Sequence, residues 1–216
     1  MAQSIPDTVD TLLAQYVAGT LPEPVRVLMG AHLELKDSSR IWVRDLEFAA
    51  GTALEGMAPE PLTERDRCLD AIFATAPSGE HGLEPADQPT TGFFPKAIQD
   101  FIGFDLDQVP WKTKLPGFKE HIIGNFDGFE ASLFWIRPGR AVPAHTHQGT
   151  ELFLVVDGAY NDTLGRFARG DIAYADATID HRPIAEPGRP CVGFAVVDAP
   201  LKLTGSFRQL IGDLIG

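Results

Sequence analysis

Two histidines separated by one residue, His145 and His147, stand ahead of a carboxylate, Glu151, in the stretch Gly139-Arg-Ala-Val-Pro-Ala-His-Thr-His-Gln-Gly-Thr-Glu-Leu-Phe-Leu-Val-Val-Asp-Gly158. Alternate residues of an extended strand share a face, so the two imidazoles point the same way. Gln148 and Gly149 supply a turn, after which Glu151 opens a second strand and faces the same interior. Two imidazoles and a carboxylate converging on one point suit Zn, Fe, Mn or Ni. A fourth ligand is wanted, and His181, downstream of the Gly170-Asp171 turn, is the residue placed to supply it. A pair of histidines in a polar turn is the bland alternative. Histidines paired at strand spacing beside a carboxylate have a clear physical use, so metal binding is the reading adopted.

The pattern around this motif is that of strands. WKTKL, HIIGN, EASLFWIR, ELFLVV, DIAYA and CVGFAVV are short, rich in β-branched and aromatic residues, and separated by Pro, Gly, Asp or Asn. Such spacing points to an all-β sandwich or barrel. Before residue 77 the period is helical. Asp7 or Thr8 can cap a first helix carrying Val9, Leu12, Leu13, Tyr16 and Val17, which Gly19 ends. Pro22 and Pro24 suit the first turn of a second helix, with Val25, Leu28, His32 and Leu35 at helical spacing. Asp37 and Ser38 offer a cap for a third, whose Ile41, Trp42, Leu46, Ala49 and Ala53 keep the period until Gly56. Thr63 and Asp66 approximate a capping box for a fourth, carrying Cys68, Leu69, Ile72 and Phe73. Between the halves, PSGEHGLEPADQPTTGFFP is dense in proline and glycine and reads as a linker. The expected plan is an α+β multidomain chain. A helical bundle over residues 1–76 and a linker over 77–95 precede a metal-binding β domain over 96–216.

Composition excludes several functions. The chain has 216 residues, 18 Lys plus Arg against 30 Asp plus Glu, and a formal charge of −12 shared evenly by the two halves. No basic stripe is present for direct DNA or RNA reading. No apolar run is long enough to cross a membrane. The opening MAQSIPDTVD has neither the basic start nor the apolar stretch of a secretory signal, so a cytoplasmic protein is expected. Cys68 and Cys191 are far apart and form no C-x-x-C pair. A redox role for Cys191 stands against a buried, inert thiol, and the second is the reading preferred. A four-helix unit of this size leans on a metal or a partner, because so small a core supplies only a few kcal/mol.

The intervals Gly, five residues, His-x-His, three residues, Glu, six residues, Gly resemble the first motif of the cupin superfamily, and Gly139, His145, His147, Glu151 and Gly158 meet each of them. The second cupin motif is looser. Gly170 and His181 are present, but the usual Pro-x-Gly before the histidine and the Asn four residues after it are absent. The resemblance implies a double-stranded β-helix, or jelly-roll, barrel over about residues 96–205. Four protein ligands close a tetrahedral zinc site, whereas octahedral iron, manganese or nickel keeps two open positions. The coordination number stays open; zinc is taken first, with Fe, Mn or Ni as alternatives.

The front half is similar to the helical zinc anti-sigma domain in DTLLAQYVAGTLPEPVRVLMGAHLELKDSSR, and its attachment to a C-terminal cupin is the arrangement of the ChrR-type anti-sigma factors. LLAQYVAGTL, AHLEL, IGFDLDQVPWKT and VVDAPLKL carry the resemblance over nearly the whole chain. It implies an anti-sigma factor that sequesters an extracytoplasmic-function sigma factor through four helices. It also implies a cupin that senses oxidative, reactive-oxygen-type stress. One departure matters. Where the family holds zinc with an early His and His-x-x-x-Cys-x-x-Cys, this chain has Asp7 and His32-Leu-Glu-Leu-Lys36-Asp-Ser-Ser39. A lysine ammonium in the place of a thiolate repels zinc, so no zinc is expected in the N-terminal domain. The helices should then rest on Leu13, Leu28, Trp42, Leu46 and Ile72, or on the partner. A second reading is a cupin metalloenzyme, dioxygenase-like, whose helical domain is a relic or a homodimerisation element. A third is a non-catalytic small-molecule binding module.

Overall fold

In the computed structural model, which describes residues 5–61, 63–75, 92–206 and 212, the helical period before residue 77 becomes four helices. They are α1 (Ile5–Val17), α2 (Glu23–Leu35), α3 (Asp37–Glu55) and α4 (Arg65–Ala74). Pro22 and Pro24 flank the start of α2, where a missing N–H removes no helical bond. Lys36, in an extended conformation, both ends α2 and precedes α3, and Gly56 closes α3. The expected caps are not used: Asp37 and Ser38 lie inside α3, whose N-cap is Lys36 with no side-chain cap bond. Starting at Ile5, α1 already runs through Asp7 and Thr8, and α4 follows Glu64 in the left-handed conformation (φ 66°) instead of a Thr63–Asp66 capping box.

The expected linker lies outside the described residues up to residue 91. Its last residues lead into a fifth helix that the periodicity does not announce, α5 (Lys96–Ile102), where Phe94 and Ile98 are buried. Pro95, at the N-cap of α5, offers no side-chain acceptor. The Glu34 carboxylate on α2 takes that role, accepting from the backbone N–H of Lys96 (2.6 Å) and of Ala97 (2.8 Å).

The strand segments then pair antiparallel. In chain order they are β1 (Lys112–Leu115), β2 (Phe118–Phe126), β3 (Phe129–Ile136), β4 (His145–His147), β5 (Glu151–Asp157) and β6 (Ala159–Asp162). There follow β7 (Gly165–Ala168), β8 (Ile172–Ala175), β9 (Ile184–Ala185), β10 (Cys191–Val197) and β11 (Leu201–Leu203). One sheet has the order β1-β2-β3-β10-β5-β8; the others are β7-β6-β9 and the pair β11-β4. Phe153 of β5 meets Tyr160 of β6 edge to face, with ring centroids 5.8 Å apart, so the large sheet and the small one close on a shared interior. This is the jelly-roll barrel.

Strand alternation divides the core in two. Phe153 and Val155 of β5, with Cys191 and Ala195 of β10, point into the barrel, where they join Phe118, Tyr160 and Phe167. Leu152, Leu154 and Val156, with Val192, Phe194 and Val196, point out of it. That outward face is not wet. It shares one apolar cluster with Leu13 of α1, Leu28 and Met29 of α2, and Ile98 of α5. Both faces of β5 and β10 are therefore buried, which is why ELFLVV and CVGFAVV are apolar almost throughout. The helices lean on the sheet. Leu13 and Leu28 are buried as expected and Leu46 is partly buried, but Trp42 and Ile72 are exposed, and α4 buries no residue at all.

Candidate metal centre

The alternation on β4 places His145 and His147 inside the barrel, both buried, with Thr146 between them less so. Glu151 enters at the first position of β5. His181 arrives by backbone pairing: its N–H donates to the His145 carbonyl and the His145 N–H donates to its carbonyl, both at 3.0 Å. Two residues that exchange both bonds stand directly opposite each other. This explains how the histidine reaches the site without the usual residues of the second motif. The four side chains predicted from the sequence thus meet, each offering one ligand atom within 4.8 Å of the others. Among the described residues this is the group of His, Cys, Asp or Glu side chains placed to hold a metal ion.

The donor chemistry fits a cation. His145 Nδ1 donates to the Pro143 carbonyl at 2.7 Å, and His181 Nδ1 donates to the Asp162 carboxylate at 2.9 Å. With those hydrogens turned outward, the Nε2 lone pairs of His145 and His181 face each other at 3.1 Å, and His147 Nε2 lies 3.2 Å from His181 Nε2. Lone pairs opposed in this way repel unless a cation sits among them. Two ligand nitrogens bound to one zinc at about 2.0–2.1 Å and tetrahedral angles stand roughly 3.3 Å apart, close to the spacing seen here. Glu151 Oε2 is 3.5 Å from His147 Nε2. Burial lowers the pKa of His145, and burial together with the two neighbouring imidazoles lowers that of His147 to about 4. Both imidazoles are neutral at neutral pH, as ligands must be. Burial raises the Glu151 carboxyl to about 7, and a bound cation would restore its ionised form.

Asp162 has no place in the sequence reading. It lies on β6, four residues beyond the Gly158 that ends the motif, with a fully buried carboxylate that fixes the His181 ring. A carboxylate behind a ligating histidine sets its tautomer and raises its basicity. The only hint is a buried-strand segment, AYND, ending in an acid before a Thr-Leu-Gly turn. Three of the four candidate ligands, His145, Glu151 and His181, also form part of the wall of a barrel cavity of about 500 Å³.

The corresponding region of the helical half is arranged differently. His32 is buried, its Nδ1 donating to the Gly170 carbonyl at 2.7 Å and its Nε2 accepting from the Ser39 hydroxyl at 2.8 Å. The Lys36 ammonium pairs with Asp171 at 2.7 Å. Gly170 has φ +84°, and a Cβ there would lie 2.9 Å from Lys36 and 3.1 Å from Leu35. Glycine is thus required twice over, by the left-handed turn and by the close approach of α2. His32 and Lys36 tie the helices to the turn between β7 and β8.

Comparison with known proteins extends these observations. The ChrR cupin-like domain family matches residues 99–199, which contain all four candidate ligands. The anti-sigma-E factor ChrR of Cereibacter sphaeroides is 35% identical over 202 residues, covering 94% of this chain and 93% of that protein. A chain in the crystal structure of Rhodobacter sphaeroides SigE in complex with the anti-sigma ChrR superposes with a TM-score of 0.73 at 35% identity, covering 88% of this chain and 96% of that one. The agreement runs through helices and barrel alike, and this chain belongs to the family of ChrR anti-sigma factors, built from a helical domain and a cupin-like domain.

Proposed function

We propose that this protein is a cytoplasmic anti-sigma factor in which helices within residues 1–76 hold an extracytoplasmic-function sigma factor. In this reading residues 96–216 form a metal-bound, stress-sensing cupin. The observation that carries it is the apolar surface of α3, α4 and the turn after α3. Ile41, Trp42, Phe48, Leu54, Met57, Ile72 and Phe73 are all exposed, Trp42 by 60% and Phe73 by 82%. Large apolar side chains left uncovered on two consecutive helices offer surface for a partner to cover. The similarity to a ChrR bound to SigE supports a sigma factor as that partner. Acidic charge on the helical half suits a basic, DNA-binding protein and speeds its capture. No described helix is long and apolar enough to cross a membrane.

His145, His147, Glu151 and His181 would hold one divalent ion, zinc first on its preference for four nitrogen and oxygen ligands. When bound, the ion would cross-link β4, the start of β5 and the His181 segment, adding its binding free energy to folding. The helical domain is read as free of zinc, because the His32 nitrogens and the Lys36 ammonium are already engaged with Ser39, Gly170 and Asp171. A regulator is favoured over an enzyme. The cavity beside the ligands is the observation that keeps a cupin metalloenzyme as the second reading.

Co-purification of the full chain with extracytoplasmic-function sigma factors from the same source tests the proposal. The expected result is a stable complex that the pair Trp42→Glu and Phe73→Glu abolishes while the melting temperature stays within about 2 °C, since neither residue is buried. A well-folded chain that captures no sigma factor would turn the assignment towards the metalloenzyme.

A further inference from the structure

The barrel interior is not filled. Protein cores pack as densely as organic crystals, and voids beyond the size of a water molecule are few. A cavity of about 500 Å³ is instead in the range of ligand sites. Much of its wall is apolar, with Phe118, Phe134, Val142 and Phe153 among the lining residues. Water gains little along that apolar stretch. The polar side chains of the lining are His145, Glu151 and His181 in the metal region, the Lys114–Glu120 pair, and Tyr160, whose phenol burial keeps protonated and uncharged. Lys114 and Glu120 neutralise each other at 2.8 Å, so that pair selects no charge. The metal region is different. A divalent ion with three neutral imidazoles and one carboxylate carries a net charge of +1 and attracts a single negative charge.

We propose that the barrel cavity is the binding site for a small apolar molecule with one anionic oxygen head group, its body against the phenylalanines and its head towards the His145–Glu151–His181 wall. The inference rests on the reading of those residues as ligands of a divalent metal. It names the class of molecule that the sensing domain receives. Leu201 and Leu203, which line the cavity, are both more than half exposed, and they offer apolar surface to an arriving molecule. The site also adjoins the helical domain. Phe153 lines the cavity, while its neighbours Leu152 and Leu154 belong to the cluster shared with α2. An occupant therefore touches the inner face of the strand whose outer face supports the helices.

The test uses the full chain loaded with Co²⁺, whose visible bands report a change of ligands at the metal, titrated with straight-chain carboxylates from acetate to octanoate. Burying a methylene is worth roughly a fourfold gain in affinity. Affinity should climb by about that factor per carbon until the cavity is filled, with octanoate more than a hundredfold tighter than acetate. Octan-1-ol, with the same body and no charge, should bind at least tenfold more weakly than octanoate. Val142→Phe should weaken octanoate at least tenfold with cobalt content unchanged. A chain that takes up cobalt but shows no dependence on carboxylate length overturns this proposal and leaves the metal site standing. A folded chain that takes up no cobalt overturns both.

Discussion

Asp162 and Cys191 show how single side chains divide the barrel between chemistry and packing. The Asp162 carboxylate is fully buried and holds His181 Nδ1 at 2.9 Å, so its negative charge is committed to the ring. Asp162→Asn keeps the shape but removes that charge. Apparent metal affinity, measured by competition with a chelating dye, should fall tenfold to a hundredfold, the usual cost of losing an outer partner of a ligating histidine. Unchanged affinity would mean that the pair only packs. Cys191 lies at the opposite end of β10 from the candidate metal ligands, since Val197 pairs with Glu151 and Val192 with Asp157. Burial, with smaller contributions from Asp157 and Glu186, pushes its thiol up to about 12. The thiolate is the reactive form, so Cys191 should resist alkylation in the folded protein while the exposed Cys68 reacts. Native labelling should give one modified cysteine, which Cys68→Ser removes; rapid labelling of Cys191 would restore a redox role to it.

At the scale of elements, α2 joins the two halves. It is buried along most of its length, caps α5 through Glu34, and reaches the β7–β8 turn through His32 and Lys36. Burial lowers the His32 pKa more than the Gly170 carbonyl raises it, with Lys36 lowering it further and Asp171 acting the other way. Above its ordinary value of 6.5 the ring is neutral in the folded and unfolded chain alike, and it adds no pH dependence. Below that value the unfolded chain takes up the proton first, so stability is lost as the pH falls. The stability of wild type relative to His32→Gln should therefore decline from pH 7 to pH 5 in chemical denaturation. A constant difference would show that protonation there is not linked to folding. The sequence makes α2 legible through its period and its prolines, but not its role. The residues that align with zinc ligands of the family serve here as a polar clasp, and only the fold brings Gly170 and Asp171 beneath them. The candidate metal residues are legible for the opposite reason. Three lie within seven positions, where alternation on β4 turns the two histidines to one face and a short turn brings Glu151 in at the start of β5. His181 needs the backbone pairing with His145 to arrive, and Asp162 needs the whole barrel. Helix α5 escapes because seven residues are too few to display a period.

For the whole molecule the consequence is that helices and barrel do not stabilise independently. Periodicity marks Trp42 and Ile72 as core because it registers an apolar face without saying what covers it, and neither α1, α2 nor the sheet covers these two. The cluster that does form runs from Leu13 and Leu28 through Phe194 and Leu154, so α2 opens only if the outer face of the sheet is uncovered. Regions differ in opening free energy according to their buried contacts, and amide exchange measures that difference. Amides in the middle of α2 should exchange as slowly as those of β5 and β10, through global unfolding, whereas α4, with no buried residue, should exchange through local opening orders of magnitude faster. Sigma-factor binding should then slow exchange chiefly in α3 and α4, where the apolar surface lies, and leave α2 nearly as it was. Fast exchange in α2 of the free protein would mean that the helical unit separates from the barrel, and that the His32 and Lys36 contacts are too weak to join the surface that meets the partner to the strand that meets the cavity.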